Sequence, residues 1–97
     1  MLVGSNPEEA HPVLGTKIRR AVREGCKLIV VDPRKIDLAK NAEIHLQVKA
    51  GTNVAFANGM MHIILEDGLA DMEFIKSRTE GFEELKEIVK DYTPEKV

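Results

Sequence analysis

Three short loops hold the residues whose types and spacing could do chemistry: Gly4-Ser5-Asn6, Asp32-Pro33-Arg34 and Gly51-Thr52-Asn53. A glycine at the head of a loop allows a tight turn and a close backbone approach to a ligand. Peptide N–H groups at a following helix start can receive phosphate. Asp32, ionised, only accepts hydrogen bonds, so it suits ribose hydroxyls or the N–H edge of guanine. Arg34 offers a planar fork to a phosphate or a base edge. Each loop also has a plain structural reading, since a glycine turn is common and Asp-Pro simply stops a strand. No GxGxxG occurs, so the standard nicotinamide fingerprint is absent.

Other chemistries find less support. Cys26 is the only cysteine, and one thiol forms no internal disulfide, structural zinc site or iron–sulfur cluster. Beside the apolar run "KLIVV" it reads as a small buried residue. His11, His45 and His62 lack metal-ligand spacing; His45 and His62 read as structural, and His11 lies near the first loop. Lys17, Arg19, Arg20 and Arg23 cluster, but on a helix they read as a solvated face. With a formal charge of -2 the chain has no global basic field, and no nucleic-acid partner is expected.

The elements that must position these loops follow from pattern. "MLV" reads as a strand end, and Val13, Leu14, Ile18, Ala21 and Val22 recur at helical spacing between Pro12 and Glu24, with Gly25 as the C′ residue. "KLIVV", Lys27 to Val31, is the continuous apolar run of a strand covered on both faces. A short helix over Ile36 to Lys40 precedes "EIHLQV", Glu43 to Val48, whose alternation puts Ile44, Leu46 and Val48 on one side of a third strand. From Asn53 to Glu66 a helix is apolar round most of its circumference, which predicts extensive burial, with Met60 and Met61 as core filler. Asp71 caps a helix containing Phe74 and Ile75, and "GFEELKEIV" places Phe82, Leu85, Ile88 and Val89 on one face of another. Thr93-Pro94 announces one more helix start.

The order predicts an α/β protein: an open Rossmann-like parallel sheet with flanking helices, its C-terminal part helical, over 97 residues read as a single α/β domain. In such sheets ligands sit at the carboxyl ends of strands, where all three loops fall. The composition, 43% hydrophobic and 31% charged, is that of a globular protein. No apolar run reaches a membrane span, and no signal peptide is visible, so a cytoplasmic protein is expected. The chain reads as starting inside a strand and stopping at a helix start, as an internal piece of a larger protein does.

The segments "GSNPEEAHPV", "KLIVVDPRKIDLAKNAEIHLQVKAGTN", "AFANGMMHIILEDGL" and "FIKSRTEGFEELKEIVKDYTPEKV" resemble the catalytic alpha subunit of molybdenum- or tungsten-dependent formate dehydrogenases, which are molybdopterin oxidoreductases. The resemblance spans essentially the whole chain. It implies a fragment of a larger subunit, the part that carries the guanine dinucleotide end of a bis(molybdopterin guanine dinucleotide) cofactor. By position it implies that Gly4 and Asn6 form the first cofactor-contacting turn, with Glu9 reaching the nucleotide from the next turn. Asp32 and Arg34 match the nucleotide-selecting pair, with Asp32 toward ribose or guanine. Gly51, Thr52 and Asn53 match the loop on the phosphates or nucleoside. The implied partners are the remainder of the alpha subunit and electron-transfer subunits.

The sequence also departs from that family. The cysteine-rich [4Fe–4S] segment, the selenocysteine or cysteine that binds molybdenum or tungsten with its following histidine, and the formate-binding arginine have no counterpart. The parent reaction is formate to carbon dioxide; this chain is expected to contribute cofactor binding alone, with no metal and no activity as an isolated chain. Two other readings stand beside this one: a free-standing α/β nucleotide-binding or interaction module, and half of a nicotinamide-binding domain, which the missing GxGxxG disfavours.

Overall fold

A computed structural model describes residues 1–97. The chain divides into two compact units, Met1–Ala50 and Gly51–Val97. The first holds β1 (Leu2–Val3), α1 (Pro7–Ala10), α2 (Pro12–Arg23), β2 (Ile29–Val31), α3 (Asp37–Lys40) and β3 (Ile44–Leu46). The second holds α4 (Asn53–Glu66), α5 (Met72–Arg78) and α6 (Phe82–Val89).

The strands form one open parallel sheet in the order β1-β2-β3, with Val3 opposite Val31 and Val31 opposite Leu46. β2 is central and apolar at every position, so both its faces can be covered: Val30 is 0% exposed and Val31 1%. Leu28, Val30, Ile36, Leu38 and Ala39 form the core, joined by Leu2 and by Ile18 and Val22 of α2. Burying a side chain such as Val30 contributes about 1.5–3 kcal/mol. Gly25 closes α2 as expected: its N–H donates to the Val22 carbonyl, and the Cys26 N–H donates to that of Ala21.

Two expectations of burial are corrected, for Cys26 and for α4. Cys26 is exposed, because β2 begins only at Ile29 and Cys26 lies in the turn that ends α2. On β3, Ile44 and Leu46 are exposed at the sheet edge, while half-buried His45 takes the opposite face. In α4 only Asn58 and Gly59 are buried, and Val54, Met60, Ile63 and Ile64 remain exposed. An apolar helix is buried only where other elements cover it, and within the second unit two short helices leave much of α4 uncovered.

The four-residue α1 is an element the hydrophobic pattern had missed, being too short to show a period. It packs against α2 at Gly15, where a Cβ would lie 3.1 Å from the Glu8 Cα and Cγ atoms. Glu8 then reaches Arg19 at 2.6 Å. In the second unit the His62 imidazole bonds through Nδ1 to the Val89 carbonyl at 3.0 Å, tying α4 to the end of α6. The Asp71 carboxylate caps α5 by accepting from the Phe74 N–H at 2.9 Å.

Candidate functional site

Parallel pairing puts the ends of β1 and β2 side by side. Gly4 and Asp32 each follow a strand directly, and the Gly4 N–H donates to the Val31 carbonyl at 2.8 Å. Gly4 turns the chain with φ +58°, in the left-handed region that disfavours a side chain, and nothing lies within 4 Å of the place a Cβ would occupy. The loop is therefore open to solvent on its glycine side.

Asn6 follows at the N-cap position of α1, but its side chain makes no capping bond. Its Oδ1 atom is buried and has no hydrogen-bond partner. A buried acceptor left unpaired costs about 1–3 kcal/mol, so a donor from outside the chain is the natural complement. α1 itself offers less to an anion than a longer helix: it has four residues, and Pro7 at its start has no N–H.

Asp32 and Arg34 form one device. The Asp32 Oδ1 accepts the Arg34 backbone N–H at 2.8 Å and Nε–H at 3.2 Å, and Arg34 Nη2 lies 3.4 Å from Oδ2. Asp32 is 1% exposed, while the Arg34 side chain is 62% exposed. The Arg34 guanidinium bond, then its backbone N–H, holds the Asp32 carboxyl below the usual carboxylate range against the opposing effect of burial. Asp32 in turn raises the pKa of Arg34, and the nearby charge of Glu9 adds to that.

β3 supports this loop. His45 Nε2 lies 3.1 Å from the Asp32 carbonyl oxygen, and Gln47 Nε2 donates to the Pro33 carbonyl at 3.3 Å. The supporting role of Gln47 had escaped the sequence reading. Gln47 lies just beyond the end of β3, so strand alternation did not place it.

The structure thus brings Gly4, Asn6, Asp32 and Arg34 to one edge of the first unit, with the Glu9 charge close enough to act on Arg34. Gly51, Thr52 and Asn53 open the second unit: Gly51 has φ +82°, Thr52 is the N-cap of α4, and Asn53 is its first residue. His11 is exposed between α1 and α2. No group of three or more His, Cys, Asp or Glu side chains is placed to hold a metal ion. No helix is long and apolar enough to cross a membrane.

Fold and loop edge define the class: an open parallel α/β unit with its solvent-facing loops at the carboxyl ends of the strands. A sequence model of the molybdopterin oxidoreductase family matches residues 1–90, and the chain belongs to that family. It is 54% identical over 95 residues to the F420-dependent formate dehydrogenase subunit alpha of Methanocaldococcus jannaschii, covering 98% of this chain and 14% of that protein. It is 49% identical over 94 residues to formate dehydrogenase H of Escherichia coli, covering 97% of this chain and 13% of that one. Among solved structures, acetylene hydratase from Pelobacter acetylenicus matches with a TM-score of 0.79 and 41% identity, over 86% of this chain and 11% of that chain. The chain therefore spans only about one seventh of the length of its curated relatives. Membership of the family implies a molybdopterin cofactor with molybdenum or tungsten.

Proposed function

We propose that this chain is a cofactor-binding part of a formate dehydrogenase alpha subunit, and that it holds the guanine nucleotide end of a bis(molybdopterin guanine dinucleotide). The observation that carries the reading is the buried, unpartnered Asn6 Oδ1 on the same sheet edge as the exposed Arg34 guanidinium. An orphaned acceptor and an exposed guanidinium held by Asp32 suit a ligand with N–H donors and phosphates. Gly4 lets the backbone approach that ligand. Asp32 orients Arg34, and its Oδ2 keeps acceptor capacity for a ribose hydroxyl or a guanine N–H. Glu9 supplies a further acceptor; for Gly51, Thr52 and Asn53 the family resemblance alone supports phosphate or nucleoside contacts.

These residues fit the nucleotide end of the cofactor and nothing nearer the metal. When bound, the pterin's metal supplies the two-electron chemistry of formate oxidation to carbon dioxide. This chain binds and orients the cofactor, while segments of the remaining alpha subunit hold the metal and an iron–sulfur cluster, and electron-transfer subunits take the electrons in the cytoplasm.

The test is a titration of the isotope-labelled chain with guanosine diphosphate, followed by backbone amide shifts. A dissociation constant on the order of 1 mM, about 4 kcal/mol, is expected for a nucleotide without its pterin half. Shifts concentrated at Gly4–Asn6, Asp32–Arg34 and Gly51–Asn53, weaker with adenosine diphosphate, support the reading. Scattered shifts, or none at tens of millimolar, overturn it.

A further inference from the structure

Of the four cations clustered on α2, only Arg19 bonds to another element. Its Nε–H donates to the Glu8 Oε1 atom of α1 at 2.6 Å, with 38% of the Arg19 side chain and 24% of the Glu8 side chain exposed. Arg20 pairs within its own helix, with Glu24 at 3.2 Å, and both of those side chains lie in solvent. A partly shielded pair that bridges two elements is screened less, and constrains more, than an exposed pair on one helix.

α1 needs such a constraint. It has four residues and no side-chain cap at its start, and so short a helix is not held by its own hydrogen bonds. What moves with it is Asn6, whose carbonyl accepts the N–H groups of Glu9 and Ala10, each at 3.2 Å. Buried Pro7 pins the start of α1 at one point. A second contact, one residue further on, fixes the rotation of the helix about that point. The bare Gly15 lets Glu8 lie close against α2, and Arg19 then grips its carboxylate. That bond raises the Arg19 pKa, and the charge of Asp37 adds to it. Asp37 opens α3, the helix that follows the Asp32-Pro33-Arg34 loop. One guanidinium thus interacts with acids on both helices that continue the loops of the sheet edge.

We propose that Arg19 is a positioning residue for the candidate nucleotide site: by holding Glu8 it fixes the angle of α1, and with it the aim of the buried Asn6 Oδ1 toward the ligand. The ligand rests on the nucleotide reading, whereas the hold on Asn6 exists before anything binds. Arg19 itself touches none of the residues assigned to the nucleotide.

The full 97-residue chain tests this in three variants. Arg19→Met keeps the apolar stem without the charge, Arg19→Lys keeps the charge, and Glu8→Met removes the same pair from the side of α1. Urea unfolding establishes that each is folded. Without nucleotide, hydrogen exchange at the Ala10 and His11 amides and the Asn6 side-chain amide resonance report on α1. In Arg19→Met and Glu8→Met that exchange is expected to quicken several-fold and the Asn6 resonance to shift, while Val30 and Val31 exchange as before. Arg19→Lys is expected to recover most of both. With guanosine diphosphate, the dissociation constant should rise several-fold in the two Met variants and return toward the wild-type value in Arg19→Lys. Unchanged α1 and Asn6 signals in the Met variants overturn the proposal. So does exchange that quickens equally over β2, or nucleotide binding that the Met variants leave intact. A wild-type chain without concentrated nucleotide shifts sinks the nucleotide reading instead, and the exchange and Asn6 signals then decide by themselves whether Arg19 holds Asn6.

Discussion

The Asp32 carboxylate lies buried beneath the exposed guanidinium of Arg34, two residues further along the chain, and accepts both its backbone N–H at 2.8 Å and its Nε–H at 3.2 Å. The loop thereby shows a cation to solvent and hides the counter-charge. An exposed Asp at this place would repel a phosphate; here its charge is already matched by Arg34, whose fork it orients.

That burial has a pH signature. The Asp32 pKa is lowered in the fold from its ordinary value of 3.8, chiefly by the Arg34 guanidinium. Its contribution to stability is therefore complete above that value and is lost as the pH falls through the lower folded value. Asp32→Asn should cost about 1–3 kcal/mol at neutral pH and flatten the decline of stability at acid pH. Urea unfolding of both proteins from pH 7 to pH 2 measures this. Asp37, similarly lowered by Lys40, keeps some of the slope in the variant. Parallel acid curves for the two proteins would show that the Asp32–Arg34 pair does not couple to folding.

Asn6→Ala should separate stability from binding. The Oδ1 atom has no partner and caps nothing, so its removal relieves an unmet acceptor. The unfolding midpoint is expected to stay level or rise, while amide shifts on addition of guanosine diphosphate weaken several-fold. A variant that loses stability in proportion to binding would assign Asn6 to the fold instead.

Gly15→Ala should loosen the α1–α2 contact. The new methyl would stand 3.1 Å from the Glu8 Cα and 3.2 Å from its backbone nitrogen, and a backbone cannot swing aside as a side chain can. Overpacking of this kind costs about 1–3 kcal/mol. Thermal unfolding gives the loss, and weaker amide protection over α1 locates it.

Val89 and Met60 should respond oppositely to the same change. Val89 is 1% exposed, at the end of α6 where its carbonyl accepts from His62; Met60 is 37% exposed on α4. Val89→Asp buries an unpaired carboxylate and should abolish cooperative unfolding of the second unit. Met60→Asp should shift stability by about 1 kcal/mol or less. Circular dichroism melts distinguish the two, and equal damage by both would place Met60 in a core that α4 does not form here.

The element types were legible in the sequence because they rest on local rules. The β-branched run at Lys27–Val31 marked the central strand, Gly25 marked the end of α2, and Asp71 marked the start of α5. The loops at Gly4 and Asp32, each directly after a strand, followed from the same order, as did the family resemblance. Burial was another matter, since it depends on what the rest of the fold supplies. Nothing local distinguishes Val13, which is exposed, from Val22, which packs on the core, although both lie in one amphipathic helix. Only the register of α2 against β2 decides it. The fate of the Asp32 carboxylate was likewise invisible: its residue type predicts an acceptor, but the loop geometry that turns Arg34 back onto it, and the support of His45 on the next strand and Gln47 just beyond it, exist only once the parallel sheet is assembled.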